Sequence, residues 1–234
     1  MFASKLVSCL LLLATPFSAA ANGSFALIAD AGSTGTRVYL FSLPEGEKQV
    51  KIVDVGKGPA LSSFQDAPEF AAQSVRKQLL EAKELIPVDL HATVPVSVFA
   101  TAGMRLVPKE KQEAIYRGLR EGLLKTGFAF NKDDLQARTI SGREEGIFAL
   151  LAANYLAKRV GTSLQANGGE LMGVLDLGGS STQVAAPPSG LAPGEPLVPK
   201  LGEQHTFVKS FLKLGMERMR QRTFQHFVDA AEEV

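Results

Sequence analysis

The sequence predicts an α/β fold, a mixed sheet flanked by helices, followed by the opening of a second unit of the same kind. Three observations carry this. The chain begins with a strand meander, strands then alternate with amphipathic helices, and the opening pattern of strand, small-residue loop and strand returns in the last third. The expected divisions are residues 1–21 as a signal peptide, 22–165 as a first, complete α/β lobe, and 166–234 as the start of a second lobe that is incomplete.

Element by element, Phe25 to Ala29 is an apolar run and Arg37 to Leu43 is again strand-like, with a Gly/Ser/Thr turn between them. Lys51 to Val55 adds a third strand. Asp66-Ala67-Pro68-Glu69 has the form of a capping box with proline in the first turn, so a helix is expected over Phe70 to Ile86. Val94 to Ala100 reads as a buried strand, Pro108 to Thr126 as an amphipathic helix stopped by Gly127, and Leu135 to Ile140 as a short strand. Gly142 to Val160 forms a third helix, stopped by Gly161, and Thr162 to Gly169 a linker. Gly173 to Asp176 and Thr182 to Ala186 then repeat the opening pair of strands. A Pro/Gly-rich loop runs from Pro187 to Pro199, and one further helix is expected from Phe207 to about Phe227, too little to close a second core.

Composition narrows the setting. Met1 to Ala21 reads as a secretory signal, with Lys5 at its start, the apolar stretch Leu6 to Ala14, and Ala19-Ala20-Ala21 as the cleavage site, so a secreted or periplasmic location is expected. No later stretch supplies the roughly 20 apolar residues that a membrane span needs, and no stable membrane anchor is expected. Cys9, the only cysteine, lies inside the signal, which removes disulfides and thiolate metal sites from the mature chain. Lys and Arg total 25 against 24 Asp and Glu, without a block of one sign, so no nucleic-acid partner is implied and any anion must be held locally. Asn22-Gly23-Ser24 matches a glycosylation acceptor.

Chemistry concentrates in four short segments. Asp30-Ala31-Gly32-Ser33-Thr34-Gly35-Thr36-Arg37 sets a carboxylate at the end of a buried strand before a turn of small and hydroxylated residues. Glycines let backbone amides approach a phosphate, the hydroxyls of Ser33, Thr34 and Thr36 add donors, and the aspartate can hold a hydrated Mg²⁺ or Ca²⁺. Asp176-Leu177-Gly178-Gly179-Ser180-Ser181-Thr182-Gln183 has the same design. Two such loops facing each other would clamp a polyphosphate while both aspartates share one metal. Thr101, Ala102 and Arg105, after a buried strand, stand where a strand end meets a helix start and can offer amides and a guanidinium to phosphate. Glu144 and Glu145 open the third helix; their place suits the helix dipole, and one of them can equally activate water. His91, His205 and His226 show no ligand spacing.

In order, DAGSTGTR, ATAGMR, SGREEGIFALLAANYL and LDLGGSSTQ resemble four conserved regions of the apyrases, the nucleoside triphosphate diphosphohydrolase family, and QHTFVKSFLKLGM, ending at Met216, resembles the segment that enters the second lobe's first long helix. The resemblance implies the two-lobed, actin-like (ribonuclease-H-like) fold with a nucleotide between the lobes. Carried over by position, Asp30 and Asp176 would hold Mg²⁺ or Ca²⁺, largely through water. Ser33, Thr34 and Gly35 with Gly178, Gly179 and Ser180 would form the phosphate loops, and Thr101, Ala102 and Arg105 would border the terminal phosphate. Glu145 aligns with the catalytic base, and Ser181 and Gln183 with groups that position the attacking water. The implied substrates are nucleoside tri- and diphosphates; oligomeric state is not implied. The family's base-recognition residues lie in the part of the second lobe that this sequence lacks. Two other readings stand beside it: an exopolyphosphatase or guanosine pentaphosphate phosphohydrolase, which shares the loops and the glutamate, and a catalytically silent nucleotide-binding module on the same fold.

Overall fold

Strand β2, Gly23–Gly32, lies at the centre of the molecule because both of its faces are apolar. Leu27, Ala29 and Ala31 point into one core and Ala26 and Ile28 into another, the period-2 alternation of a strand buried on both sides. β2 pairs antiparallel with β3, Gly35–Leu43, which pairs antiparallel with β4, Lys51–Gly58. On its other edge β2 runs parallel to β5, Val96–Ala100, and β5 parallel to β6, Ala137–Thr139. The order β4-β3-β2-β5-β6 is a mixed sheet. The short β1, Ser18–Ala20, pairs antiparallel with β2. This computed structural model describes residues 18–20, 23–47, 49–130, 136–161, 164–187, 194 and 206–232. Most of the segment read as a signal, the expected acceptor Asn22, His205 and nearly all of the Pro187 to Pro199 loop fall outside them.

One face of the sheet is covered by three helical pieces: the 3-10 segment Pro68–Ser74, α1 (Arg76–Lys83) and α3 (Lys109–Leu123); the one-turn α2 (Ala102–Arg105) follows β5 and precedes α3 in the chain. Val75, Leu79, Ala82, Ile115, Leu119 and Leu123 fill the space between them and the sheet, each fully buried Val, Leu or Ile side chain contributing about 1.5–3 kcal/mol. The expected single helix from Phe70 to Ile86 is thus a 3-10 segment followed by a short α-helix, and the capping box does not form. Ala67 occupies the cap position without a side-chain bond, while the Asp66 carboxylate takes the ammonium of Lys111 at 2.5 Å. α3 ends near Gly127, whose φ of +80° marks the turn that the sequence placed there.

The other face is covered by α4, Gly142–Leu156, through Leu150, Leu151 and Ala152 against Ile28, Tyr39, Phe41 and Phe99. α4 stops short of Val160, because Lys158 turns the chain at φ +57° and Val160 bridges Ala166 instead. Beyond it lies a second, antiparallel sheet, β7 (Val174–Leu177), β8 (Ser181–Ala186) and β9 (Phe207–Leu212), followed by α5 (Met216–Glu232). The helix expected to begin at Phe207 therefore begins nine residues later. Phe207 to Leu212 pairs along its whole length with β8, a strand that its β-branched and aromatic side chains favour.

Among the described residues the second sheet has one covered face. Ala185, Val174 and Val208 close on α4, so this helix serves two sheets at once. Leu175, Leu177, Phe207, Phe224 and Phe227 remain exposed. β9 approaches α4 over glycines one turn apart. A Cβ on Gly146 would lie 2.5 Å from Cγ1 of Val208, and one on Gly142 would strike Oγ of Ser210. We therefore expect Gly146→Val to lower stability by roughly 1–3 kcal/mol through overpacking, read from the urea midpoint; an unshifted midpoint would mean that β9 does not press on α4.

Candidate active site

The turns after Asp30 and Asp176 have matching registers. In the first sheet Asp30 pairs across the ladder with Arg37, and in the second Asp176 pairs with Gln183, seven residues on in each case. Both aspartates stand one or two residues before a tight turn of small residues, held at the end of a strand by the ladder. The turns face each other. A Cβ placed on Gly179 would lie 2.5 Å from Oγ of Ser33 and 3.2 Å from Cγ2 of Thr34, so glycine is what allows the contact. The helix start at Gly215 locks the second turn from behind, with the amide of Met216 donating to the Gly178 carbonyl at 2.9 Å and that of Glu217 to Gly179 at 3.0 Å.

Between the turns lies a cavity of about 250 Å³. Its walls include Asp30, Ser33, Thr34, Gly35, Thr101, Ala102, Glu145, Asp176, Gly178, Gly179, Ser180 and Ser181, nearly the full set expected from the sequence, together with Gly32, Arg37 and Leu177. Three expected residues stand elsewhere. Thr36 is fully buried, its partner across the ladder is Ala31, and its side chain faces away from the cavity, because successive strand residues alternate faces. Its place among the phosphate ligands is corrected accordingly. Arg105 and Gln183 lie one layer behind the wall and grip Glu145.

The structure separates the two glutamates. Glu144 closes a capping box, accepting from the Ser141 amide at 2.8 Å while its own amide donates to Ser141 Oγ at 3.1 Å, and it pairs with Arg138 at 2.7 Å. Burial raises its carboxyl, but the bonds from Arg138 and Ser141 outweigh that and hold it below the usual range. Glu145 points into the cavity. Its Oε2 accepts from Arg105 Nη2 and from Gln183 Nε2, the latter at 3.0 Å. Gln183 also donates to Ser181 Oγ at 2.8 Å and Ser210 Oγ at 3.0 Å. Ser210 was not singled out from sequence because its segment read as a helix; the alternation in Phe-Val-Lys-Ser-Phe-Leu was the signal available.

Electrostatically the cavity is crowded with negative charge. Burial pushes Asp30 up to about 7, with repulsion from Glu145 and Asp176 adding to it and Arg37 opposing. Burial likewise lifts Glu145 to about 7 against the pull of Arg105, with Asp176 repelling, and burial raises Asp176. For Glu145 the desolvation therefore outweighs a direct ion pair. Two carboxylates that face one polar cavity from opposite sides fit a hard, oxygen-seeking cation. Among the described residues no cluster of three or more such side chains forms a protein-only metal cage, so water and ligand oxygens would complete the shell. His91 takes no part: its ring bonds the Ile86 carbonyl at 3.0 Å and packs on Phe128.

Known proteins resemble the chain in sequence and in fold. The profile of the GDA1/CD39 (nucleoside phosphatase) family matches residues 17–233. The chain is 34% identical over 208 residues to the "Probable apyrase 2" of Oryza sativa subsp. japonica, covering 87% of this chain and 44% of that protein. It is 35% identical over 178 residues to the human ectonucleoside triphosphate diphosphohydrolase 6, covering 73% and 36%. The crystal structure of nucleoside triphosphate hydrolases from Neospora caninum shares the fold at a TM-score of 0.55, with 22% identity over 82% of this chain and 45% of that one. The chain thus spans less than half the length of these relatives.

The raised carboxyls make stability depend on pH. A carboxyl whose folded value exceeds its unfolded one stabilises fully below about 4, and that contribution is lost as pH rises through about 7. In EDTA, Asp30→Asn should melt above the parent chain at pH 8, by up to a few kcal/mol of stability, with the gap closing toward pH 5. A gap independent of pH would show that Asp30 is not held in this repulsion.

Proposed function

The chain belongs to the GDA1/CD39 (nucleoside phosphatase) family, and on that premise we propose that it hydrolyses the terminal phosphates of nucleoside tri- and diphosphates by in-line attack of water. The observation that carries this reading is the meeting of two amide-lined turns over one cavity that also receives Glu145.

Phosphoryl transfer to water needs positioning and charge neutralisation more than covalent chemistry. The amides and hydroxyls of Ser33, Thr34 and Gly35 on one side, and of Gly178, Gly179 and Ser180 on the other, hold the phosphate chain from both faces. Thr101 and Ala102 border the group to be transferred. Asp30 and Asp176 would hold Mg²⁺ or Ca²⁺, which neutralises phosphate charge when bound. Glu145 orients the attacking water and accepts its proton. Arg105 and Gln183 both occupy Oε2 of Glu145, which fixes the rotamer and leaves Oε1 for the water. Ser181, bonded to Gln183, lines the cavity beside it and helps set the water's position. The reading of Met1 to Ala21 as a signal supports export, and 22–165 and 166–234 are read as the two lobes that enclose the cleft. No helix among the described residues is long and apolar enough to cross a membrane.

Two measurements test the proposal. Phosphate release from ATP, ADP and long-chain polyphosphate, with an EDTA control, should show cation-dependent release from the nucleotides; preference for polyphosphate would favour an exopolyphosphatase, and no release with intact nucleotide binding a silent module. Glu145→Gln should lower release about 10²- to 10⁴-fold with nucleotide binding retained, as expected for loss of a general base. Because the base acts as carboxylate and its value lies at about 7, activity should fall tenfold per unit as pH drops below that point. A flat profile down to pH 5 would remove Glu145 from this role.

A further inference from the structure

Lys57 has no part in the chemistry described above. It stands on β4 opposite Arg37, which stands opposite Asp30 on β2, so the three residues form one row across neighbouring strands. Residues directly opposite in an antiparallel ladder share a face, and the face here is that of Asp30, the cleft side. The second sheet carries the same row: Asp176 lies opposite Gln183, which lies opposite Ser210. In that row the third residue reaches the site, since Ser210 accepts from Gln183. Lys57 holds the corresponding place in the first sheet.

Its side chain turns toward the first phosphate turn. A Cβ on Gly35, at φ +154°, would collide with Cε of Lys57 and lie 3.0 Å from its Nζ, and Gly35 lines the cavity. The lysine thus rests its apolar stem in the space that a side chain would take and leaves the ammonium at the edge of the turn. No carboxylate or hydrogen-bond acceptor among the described residues engages that ammonium. Lys51, at the other end of the same strand, is instead paired with Glu47 at 2.9 Å.

We propose that Lys57 is a phosphate-binding residue of this cleft, adding a positive charge to the grip of Ser33 to Gly35 and favouring ligands with two or more phosphates over monophosphates. The inference rests on the reading of the cleft as a nucleoside polyphosphate site. It is tested on the full chain with Mg²⁺ by calorimetric titration of a methylene-bridged ADP analogue and of AMP, at low and high salt. Lys57→Met should weaken the analogue about tenfold, the worth of one charge-assisted hydrogen bond, shift AMP by less than twofold, and flatten the salt dependence. Lys57→Arg should restore most of the affinity, and Lys51→Met should change nothing. Wild-type affinity and salt dependence in Lys57→Met would overturn the proposal while leaving the cleft assignment intact. Failure of the parent chain to bind the analogue would overturn both.

Discussion

Three carboxylates meet in one small cavity, and the rest of the architecture can be understood as what holds them there. Asp30 comes from the end of one sheet, Asp176 from the end of another, and Glu145 from the first turn of the helix between them. Burial raises all three, and repulsion adds to it at Asp30 and Glu145, so the arrangement is costly in the absence of a cation or a cationic partner. It persists because the surrounding packing leaves the groups little freedom. Two β-ladders fix the aspartates in register, and α4 is clamped between the sheets. Glycines at 142, 146 and 179 remove the side chains that would keep the elements apart.

The two halves of the cleft are built on one plan with different fillings. Each offers an aspartate, a small-residue turn and a cross-strand partner seven residues on. In the first sheet that partner is Arg37, a wall of the cavity; in the second it is Gln183, fully buried and devoted to holding Glu145 and Ser181. The asymmetry divides labour, since one side presents positive charge to the cavity and the other orients the Glu145 carboxylate. Ser210 extends the second side by bonding Gln183 from β9, which also makes the α4–β9 contact part of the site's geometry.

Much of this was legible in the sequence because local rules governed it. An aspartate before Gly, Ser and Thr residues at the end of an apolar run favours a strand end and a tight turn, and its repetition at Asp176 indicated the facing pair. The strands of the first sheet followed from apolar runs. What was not legible depended on tertiary partners. Phe207 to Leu212 carries enough apolar and basic residues to suggest an amphipathic helix, but the open edge of β8 recruits it as a strand. Asp66 fits a capping box by spacing, yet Lys111, distant in sequence, takes its carboxylate. Residue type alone did not separate Glu144 from Glu145; in the structure one closes the helix cap against Arg138 and the other enters the cavity. Thr36 failed as a ligand because strand alternation, which the loop composition conceals, turns it inward.

The proposed function requires both glycine-rich turns to hold the same phosphate chain. It is tested most directly by titrating isotope-labelled protein with a methylene-bridged ADP analogue and Mg²⁺ while following the amide resonances of Gly35 and Gly179. Both should shift together along one binding isotherm with one dissociation constant. Movement of one resonance alone, or two isotherms with separate constants, would contradict it.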